Sequence, residues 1–314
     1  MKPFFITFHF CLLFIAGHSQ TNYIPYFQKW IKVESLALLD QMEAAEKIIL
    51  ECFADYEPAF ASDVVLAAQL AAINEHDSLS FLWIEKALKR GVKYNCINSM
   101  RVFKGMQQQP QWDSLQSKVK QLEYEYATSI RFDLNKEFMQ RYYIEQEAKS
   151  KPEYEDVVSS NFNRIREIIS SIGFPGERLV GLDVPGDPKK WTKCHLGNRK
   201  ITVTFLHHPY SFSLLHDALL VALKNGKLHP DDFLYIYFFE FRKMGALYPK
   251  MRKPDIKLAN YDHLLGKRDL SDDEIKQIDA ARYELGIWPL KTQADRDNRK
   301  AIFDKYGILV GSIL

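Results

Sequence analysis

Apolar residues recur every three or four positions through the first third of the chain, with polar residues between them. This period is that of an amphipathic α-helix whose apolar face packs against a core. Breaks in the pattern near Asp40, Pro58 and Asp77 divide the region into four segments. The pattern therefore predicts four consecutive helices, over residues 24–39, 44–56, 59–74 and 79–90.

The four predicted helices form two pairs that repeat approximately. Residues 42–53 align with residues 77–88 at an offset of 35, so that Cys52 matches Ala87 and Phe53 matches Leu88. A spacing near 34 residues is typical of tetratricopeptide units, and residues 20–110 resemble such a helix-turn-helix array. A plain helical hairpin domain describes the pattern nearly as well, because most of that family's diagnostic Trp, Gly and Pro positions are absent. Either arrangement presents a concave surface, so we expect a protein or peptide partner to bind through residues 20–110.

A single apolar stripe follows a glutamine-rich turn at residues 107–111. Its members, three or four positions apart, are Trp112, Leu115, Val119, Leu122, Tyr126, Ile130 and Leu134. The stripe predicts one long helix, or two helices in near continuity, that links the repeat region to the rest of the chain over residues 111–150. The heptad-like spacing ends at Tyr126, which favours packing on the same chain over a dimeric coiled coil.

Residues 151–314 are predicted to form a C-terminal domain with mostly helical signals. An apolar helical pattern over 157–172 ends at Gly173, and Ser271 with Glu274 forms a capping box for a later helix. Further helices are predicted over 211–224 and 230–244. Residues 200–206 are rich in β-branched side chains with a period of two, which by itself predicts a short strand. We therefore expect a mainly α fold with at most a small β element.

The first residues have the pattern of a secretory signal peptide. Lys2 precedes an apolar run over residues 4–16, and the small residues Gly17 and Ser19 come before Gln20. The run is too short to span a bilayer, and the longest later apolar run covers only residues 233–239. We expect a signal peptide over residues 1–19, cleavage after Ser19, and a periplasmic, cell-surface or secreted protein without a transmembrane span.

Composition and cysteine count restrict the function further. The chain has 42 basic and 40 acidic residues, a balance that argues against nucleic acid as a partner. Cys52, Cys96 and Cys194 remain after signal cleavage, so at most one disulfide forms, and which pair forms it is left open. Cys52 lies on an apolar helix face, where we expect a buried free thiol. A zinc site built on cysteines is not supported.

Short motifs in the C-terminal half occur in the order seen in a family of uncharacterised bacterial secreted domains. They are Glu145-Gln146, Arg166-Glu-Ile-Ile169, Gly173-Phe-Pro175, Val180-Gly181, His207-His208, Asp279-Ala-Ala-Arg282 and Leu285-Gly-Ile-Trp-Pro-Leu290. The resemblance covers about residues 130–290 and implies a secreted or periplasmic domain with no established activity. It also implies helix around 200–208, in conflict with the predicted strand, so that stretch remains open.

The same resemblance places a candidate site. His208 takes the position of the family's Gln-His histidine, while Glu240-Phe-Arg242 and residues 246–250 replace an Asp-Arg pair and a polar Gln-x-Tyr-Gly-Thr-Gln stretch. Polar groups are fewer at these positions than in the family pattern. A site built on them would therefore be altered or lost in this chain.

Histidines are concentrated in one part of the chain, with six between residues 195 and 263. His207, His208 and His216 are candidate metal ligands, and Asp217 follows His216 directly. If the protein is an enzyme, His208, His216, Asp217 and Glu240 are its candidate acid–base residues. Their spacing matches no established metal motif, so structural roles are favoured and no cofactor is expected. Arg242, Tyr248 and Arg252 are candidate contacts for an anionic ligand such as a glycan or phosphate, although a solvated surface explains them better.

No sequence motif of a common nucleophile or nucleotide-cofactor class is present. The favoured hypothesis is a non-catalytic exported protein that binds a protein or ligand through its helical surfaces. The alternative is a hydrolase or metal-dependent enzyme that acts on envelope material through the histidine and carboxylate residues. Oligomeric state is left open.

Overall fold

The computed structural model describes residues 21–183, 194, 196–247, 271–290 and 293–308, with backbone alone for 241–247 and 293. Within these ranges the regular structure is helical, with 14 α-helices and no strand, which confirms the mainly α prediction. Two short 3-10 turns, Arg101–Phe103 and Met106–Gln108, separate α5 from α6. The helices are α1 (Ile24–Leu38), α2 (Met42–Asp55), α3 (Ala61–Ile73), α4 (Asp77–Lys89), α5 (Tyr94–Ser99), α6 (Pro110–Ser129), α7 (Phe132–Ala148), α8 (Tyr154–Ile172), α9 (Glu177–Val180), α10 (Arg199–His207), α11 (Ser211–Lys224), α12 (Pro230–Leu247), α13 (Asp272–Glu284) and α14 (Gln293–Tyr306).

Helices α1 to α4 form the two predicted pairs, and each begins within two residues of its predicted start. The turns inside the pairs repeat as well. Asp40 and Glu75, at the offset predicted for the repeat, both adopt a φ of 61° in the turns that precede α2 and α4. The turn and the start of the second helix in each pair therefore recur at the predicted offset of 35 residues. Helix α3 contacts both α2 and α4 and is buried on nearly every side, because its Ala and Val side chains permit close approach.

The linking stripe forms two helices. Ile130 is extended between α6 and α7, with φ of −112° and ψ of 163°. Helix α6 packs against α4 of the repeat, whereas α7 packs against α8, α9 and α10 of the C-terminal part. The chain therefore passes from the first body of helices to the second at Ile130, close to the link predicted from the apolar stripe.

Residues 200–206 correct the strand prediction, because they lie inside helix α10. Ile201, Thr202, Phe205 and Leu206 form one buried face with the spacing of a helix. This face packs against α7, α8 and α12. Burial on three sides outweighs the intrinsic preference of β-branched residues for strands.

The repeat and the C-terminal part share one continuous hydrophobic core. The backbone N–H of Tyr23 donates to the carbonyl oxygen of Lys224 at 2.7 Å. Gly286, at a φ of 67°, packs so closely that a Cβ atom would lie 2.4 Å from Cβ of Phe27. A disulfide joins Cys96 of α5 to Cys194, and Cys52 is the buried free thiol that the sequence predicts. In the described part of the chain, no helix combines the length and apolar character needed to cross a membrane.

Candidate functional site

The structure gives the predicted histidines separate partners. Nδ1 of His207 lies within hydrogen-bonding distance of the Glu145 carboxylate. Glu145 is fully buried and also accepts a hydrogen bond of 2.8 Å from Nδ2 of Asn161. Two motifs that carry the family resemblance, Glu145-Gln146 and His207-His208, therefore meet in space and join α7 to α10.

The remaining acid–base candidates also have structural partners. The His208 ring stacks on Phe162 with ring centroids 3.8 Å apart. His216 pairs with the neighbouring Asp217 on an exposed helix face, with Nδ1 and Oδ1 2.9 Å apart. Glu240 is buried and accepts a hydrogen bond of 2.9 Å from the Ser213 backbone N–H, so it caps the first turn of α11.

No metal site is found at these residues. Among the described residues, no group of three or more His, Cys, Asp or Glu side chains is arranged to hold a metal ion. For the predicted anion contacts, Arg242 lies in α12 with its side chain outside the described atoms, and Tyr248 and Arg252 lie outside the described residues.

A cavity of about 490 Å³ lies between the repeat and the C-terminal part. Residues of α1 and α3 line it from the repeat, and residues of α9, the segment from Leu196 to Arg199 and the start of α12 line it from the C-terminal part. A volume of this size falls in the range of small-molecule sites, roughly 300–1,000 Å³. The residues that carry its chemistry are Trp30, Glu34, Phe60, Asp63, Gln69, Glu177, Asp183, Asn198, Arg199, His229 and Asp232.

Two of the cavity's carboxyl groups accept hydrogen bonds from backbone N–H groups at the N-terminal end of α3. Asp63 is buried, accepts a hydrogen bond of 3.1 Å from the Phe60 backbone N–H, and accepts one of 2.5 Å from the Tyr26 hydroxyl. Glu177 of α9 accepts a hydrogen bond of 2.6 Å from the Ala61 backbone N–H. Both residues satisfy amide groups that the first turn of a helix leaves unpaired.

Two further carboxyl groups of the lining lie at the starts of α10 and α12. Asp183 accepts a hydrogen bond of 3.2 Å from the Lys200 backbone N–H at the start of α10. Asp232 lies in the first turn of α12, where it is hydrogen-bonded to Thr202 and close to His229 and Arg199. Helices from both parts of the molecule thus bring acidic groups to one space.

Burial raises the pKa of these carboxyl groups. The pKa of Glu177 rises from 4.5 to about 8, and that of Asp183 rises from 3.8 to about 7. The pKa of Asp63 and the pKa of Asp232 also rise, again because burial disfavours the charged form. Perturbed carboxyl groups that line a cavity are typical of functional sites. Near neutral pH, Glu177 and Asp183 can therefore exchange protons or respond to the charge of a ligand.

His229 completes the polar wall. Its ring centroid lies 4.9 Å from that of Phe60, and its Nδ1 accepts a hydrogen bond of 3.2 Å from the Asp231 backbone N–H. This bond places the proton of the neutral ring on Nε2. His229 belongs to the predicted histidine-rich stretch, but it was not among the predicted site residues.

Sequence reasoning missed the cavity's carboxyl groups for a definite reason. Asp63 and Asp232 are acidic residues in the first turn of a helix, a position at which a carboxylate needs no functional explanation. Glu177 caps a helix that lies more than a hundred positions earlier. A single sequence contains no signal that joins such distant positions.

Comparison of the chain with protein-family models, with curated proteins and with solved structures found no match, so the family resemblance rests on the sequence motifs alone.

Proposed function

We propose that this protein binds a small organic ligand in the cavity between its repeat and its C-terminal part. The observation that carries the proposal is the lining itself: ionisable side chains from distant parts of the chain converge on one space of about 490 Å³. Ionisable groups are costly to bury, so a fold that gathers them around open space is better explained by an occupant than by stability.

The cavity also refines the predicted role of the repeat. Trp30 and Glu34 of α1, with Asp63 and Gln69 of α3, face the cavity and the C-terminal part. Part of the predicted partner surface of residues 20–110 is therefore assigned to the small ligand. A protein or peptide partner remains a proposal for the outer surface of this array.

We further propose that the protein is exported and binds its ligand outside the cytoplasm. The apolar run at residues 4–16 supports export, and the disulfide between Cys96 and Cys194 agrees with an oxidising compartment. Mass spectrometry of protein isolated from its native host tests this proposal. A mature chain that begins at Gln20 supports export, and an intact Met1 contradicts it.

Two glycines allow the ligand site to be tested before the ligand is known. Gly197 lines the cavity, and a Cβ atom built there meets no heavy atom within 4 Å. Gly197→Phe is therefore expected to fill the space without a clash. We expect ligands found in a thermal-shift screen of amines, sugars, amino acids and organic acids to lose their stabilising effect in this variant.

Gly105→Phe is the matched control. A Cβ atom at Gly105 also meets nothing within 4 Å, its φ of −64° suits any residue, and it lies outside the cavity lining. Ligands that stabilise the wild type should stabilise this control equally. Equal stabilisation of the wild type and Gly197→Phe by every ligand found would overturn the proposed site.

A further inference from the structure

The chemistry of the cavity wall also indicates the class of ligand, an inference that rests on the proposed function. Gln69 of α3 is 6% exposed and lines the cavity. Its Nε2 donates to the thioether sulfur of Met100 at 3.3 Å, a weak acceptor. No described residue donates a hydrogen bond to its amide oxygen. This oxygen is not among the buried atoms that lack a partner, so it is accessible from the cavity that Gln69 lines, and it can accept a hydrogen bond from a ligand that donates one.

The charges around the cavity point to the same ligand. The carboxyl groups of Glu34, Asp63, Glu177, Asp183 and Asp232 line it, whereas the bases among the described lining residues are the guanidinium of Arg199 and the imidazole of His229. Arg90 lies behind Glu177, with Nη2 3.7 Å from Oε1. The described wall thus has more acidic than basic groups, and an added positive charge would stabilise the ionised carboxylates.

The rest of the lining is apolar. Trp30, Phe60, Val65, Leu66 and Leu196 contribute aromatic and aliphatic surface. In small-molecule sites, apolar walls of this kind contact the hydrocarbon part of the ligand, and a few polar groups orient it. An inorganic ion has no apolar part and would leave this surface in contact with water.

We infer that the ligand of this cavity is a small organic cation, in which an ammonium or guanidinium group is attached to an apolar body. The cationic group donates hydrogen bonds to Gln69 and interacts with the carboxylates of Asp63, Glu177, Asp183 and Asp232. The apolar body occupies the space beside Trp30 and Leu66.

Cation binding should strengthen as pH rises. Glu177 faces Asp63, Arg90 and Arg178, while Asp183 faces Arg199, Lys200 and Asp232. Their pKa values, about 8 and about 7, mean that protons compete with the cation at lower pH. Raising the pH removes the protons and leaves carboxylates that attract the ligand. An anionic ligand would show the opposite dependence, and a neutral ligand would show little.

A series of three similar probes tests the inference on the full-length protein. Benzylamine is cationic, benzyl alcohol is neutral and benzoate is anionic, and all three share one aromatic ring. We expect isothermal titration calorimetry to detect benzylamine binding preferentially, with an affinity about tenfold higher near pH 9 than near pH 6. Tighter binding of benzoate, or equal binding of benzyl alcohol at both pH values, would overturn the inference.

Gln69→Met removes the amide at nearly constant volume. We expect it to weaken benzylamine binding about tenfold, since hydrogen bonds to charged groups are among the stronger ones. Gln121→Met is the matched control, because Gln121 is an exposed residue of α6 outside the cavity lining. Should Gln69→Met fail to fold, the three probes on the wild type still decide the question.

The two proposals fail in different ways. Suppose that benzylamine does not bind, but other ligands stabilise the wild type and lose their effect in Gly197→Phe. The inference of a cationic ligand is then wrong, whereas the cavity is still supported as a ligand site. If ligands from the screen stabilise Gly197→Phe and the wild type equally, both the proposed function and the inference of a cationic ligand are wrong.

Discussion

The Ala61 backbone N–H donates a hydrogen bond to Glu177, 116 positions later in the chain. The carboxyl group thereby caps α3, while it also lines the cavity and is almost completely buried. Burial disfavours its charged form, and Arg90 offsets only part of that cost, so its pKa rises to about 8. A single side chain thus links the stability of a helix to the charge of the candidate site.

This linkage predicts a pH-dependent stability. Below about pH 4.5 Glu177 holds its proton in both the folded and the unfolded state. Between that pH and about pH 8 the folded protein keeps a proton that the unfolded chain has released. The stabilisation is therefore present at low pH and is lost as pH rises through the folded pKa. We expect the proton on Glu177 to make the free energy of unfolding fall across this window by up to about 1.4 kcal/mol per pH unit.

Glu177→Gln should flatten that dependence, because an amide accepts the Ala61 hydrogen bond but does not titrate. Urea unfolding at several pH values between about pH 5 and about pH 8 measures the slope. Asp183 titrates in the same range, so a smaller slope should remain. Glu51→Gln, at an exposed position of α2, serves as the control and should keep the wild-type slope. An unchanged slope in Glu177→Gln would show that its pKa is not raised.

At the scale of single helices, periodicity predicted most elements well. The first four helices, the end of α8 at Gly173 and the capping box of α13 all agree with the sequence pattern. These features depend on residues that are neighbours in the chain. The conformation of α10, in contrast, depends on its contacts with α7, α8 and α12, which are distant in the chain. The strand prediction failed there, since local propensity is weaker than tertiary burial.

The capping box at Ser271 provides a test at this scale. Oγ of Ser271 accepts a hydrogen bond from the Glu274 backbone N–H, and the Glu274 carboxylate accepts one from the Ser271 backbone N–H. Ser271→Ala removes the first bond, and we expect the free energy of unfolding to fall by about 0.5–2 kcal/mol. Hydrogen exchange should accelerate most in the first turn of α13.

Ser150→Ala is the control for this substitution, because Ser150 is exposed in the turn between α7 and α8. Its stability and exchange rates should match those of the wild type within about 0.5 kcal/mol. Equal effects of the two substitutions would mean that the capping box contributes nothing specific to α13.

At the scale of the whole molecule, the contacts that create the cavity join positions far apart in sequence. The Arg178 guanidinium donates to the carbonyl oxygen of Pro58 at 2.7 Å, and the Tyr23 backbone N–H donates to the carbonyl oxygen of Lys224. No periodic pattern in the sequence encodes such pairings, so the candidate site could not be predicted from the sequence. The predicted site instead followed the histidines, which are distinctive in composition but have separate structural partners.

The disulfide between Cys96 and Cys194 covalently ties the cavity wall at Leu196–Arg199 to the repeat. Its cysteines are 98 positions apart, and closing so long a loop removes substantial entropy from the unfolded chain. We expect reduction, or a Cys96→Ser and Cys194→Ser double variant, to lower the free energy of unfolding by about 2–5 kcal/mol and to accelerate hydrogen exchange at residues 196–199. Cys52→Ala, which removes the free thiol, should remain sensitive to reductant, whereas the double variant should not. If reduction leaves both stability and exchange unchanged, the bridge does not hold the wall, and noncovalent docking contacts alone maintain the cavity.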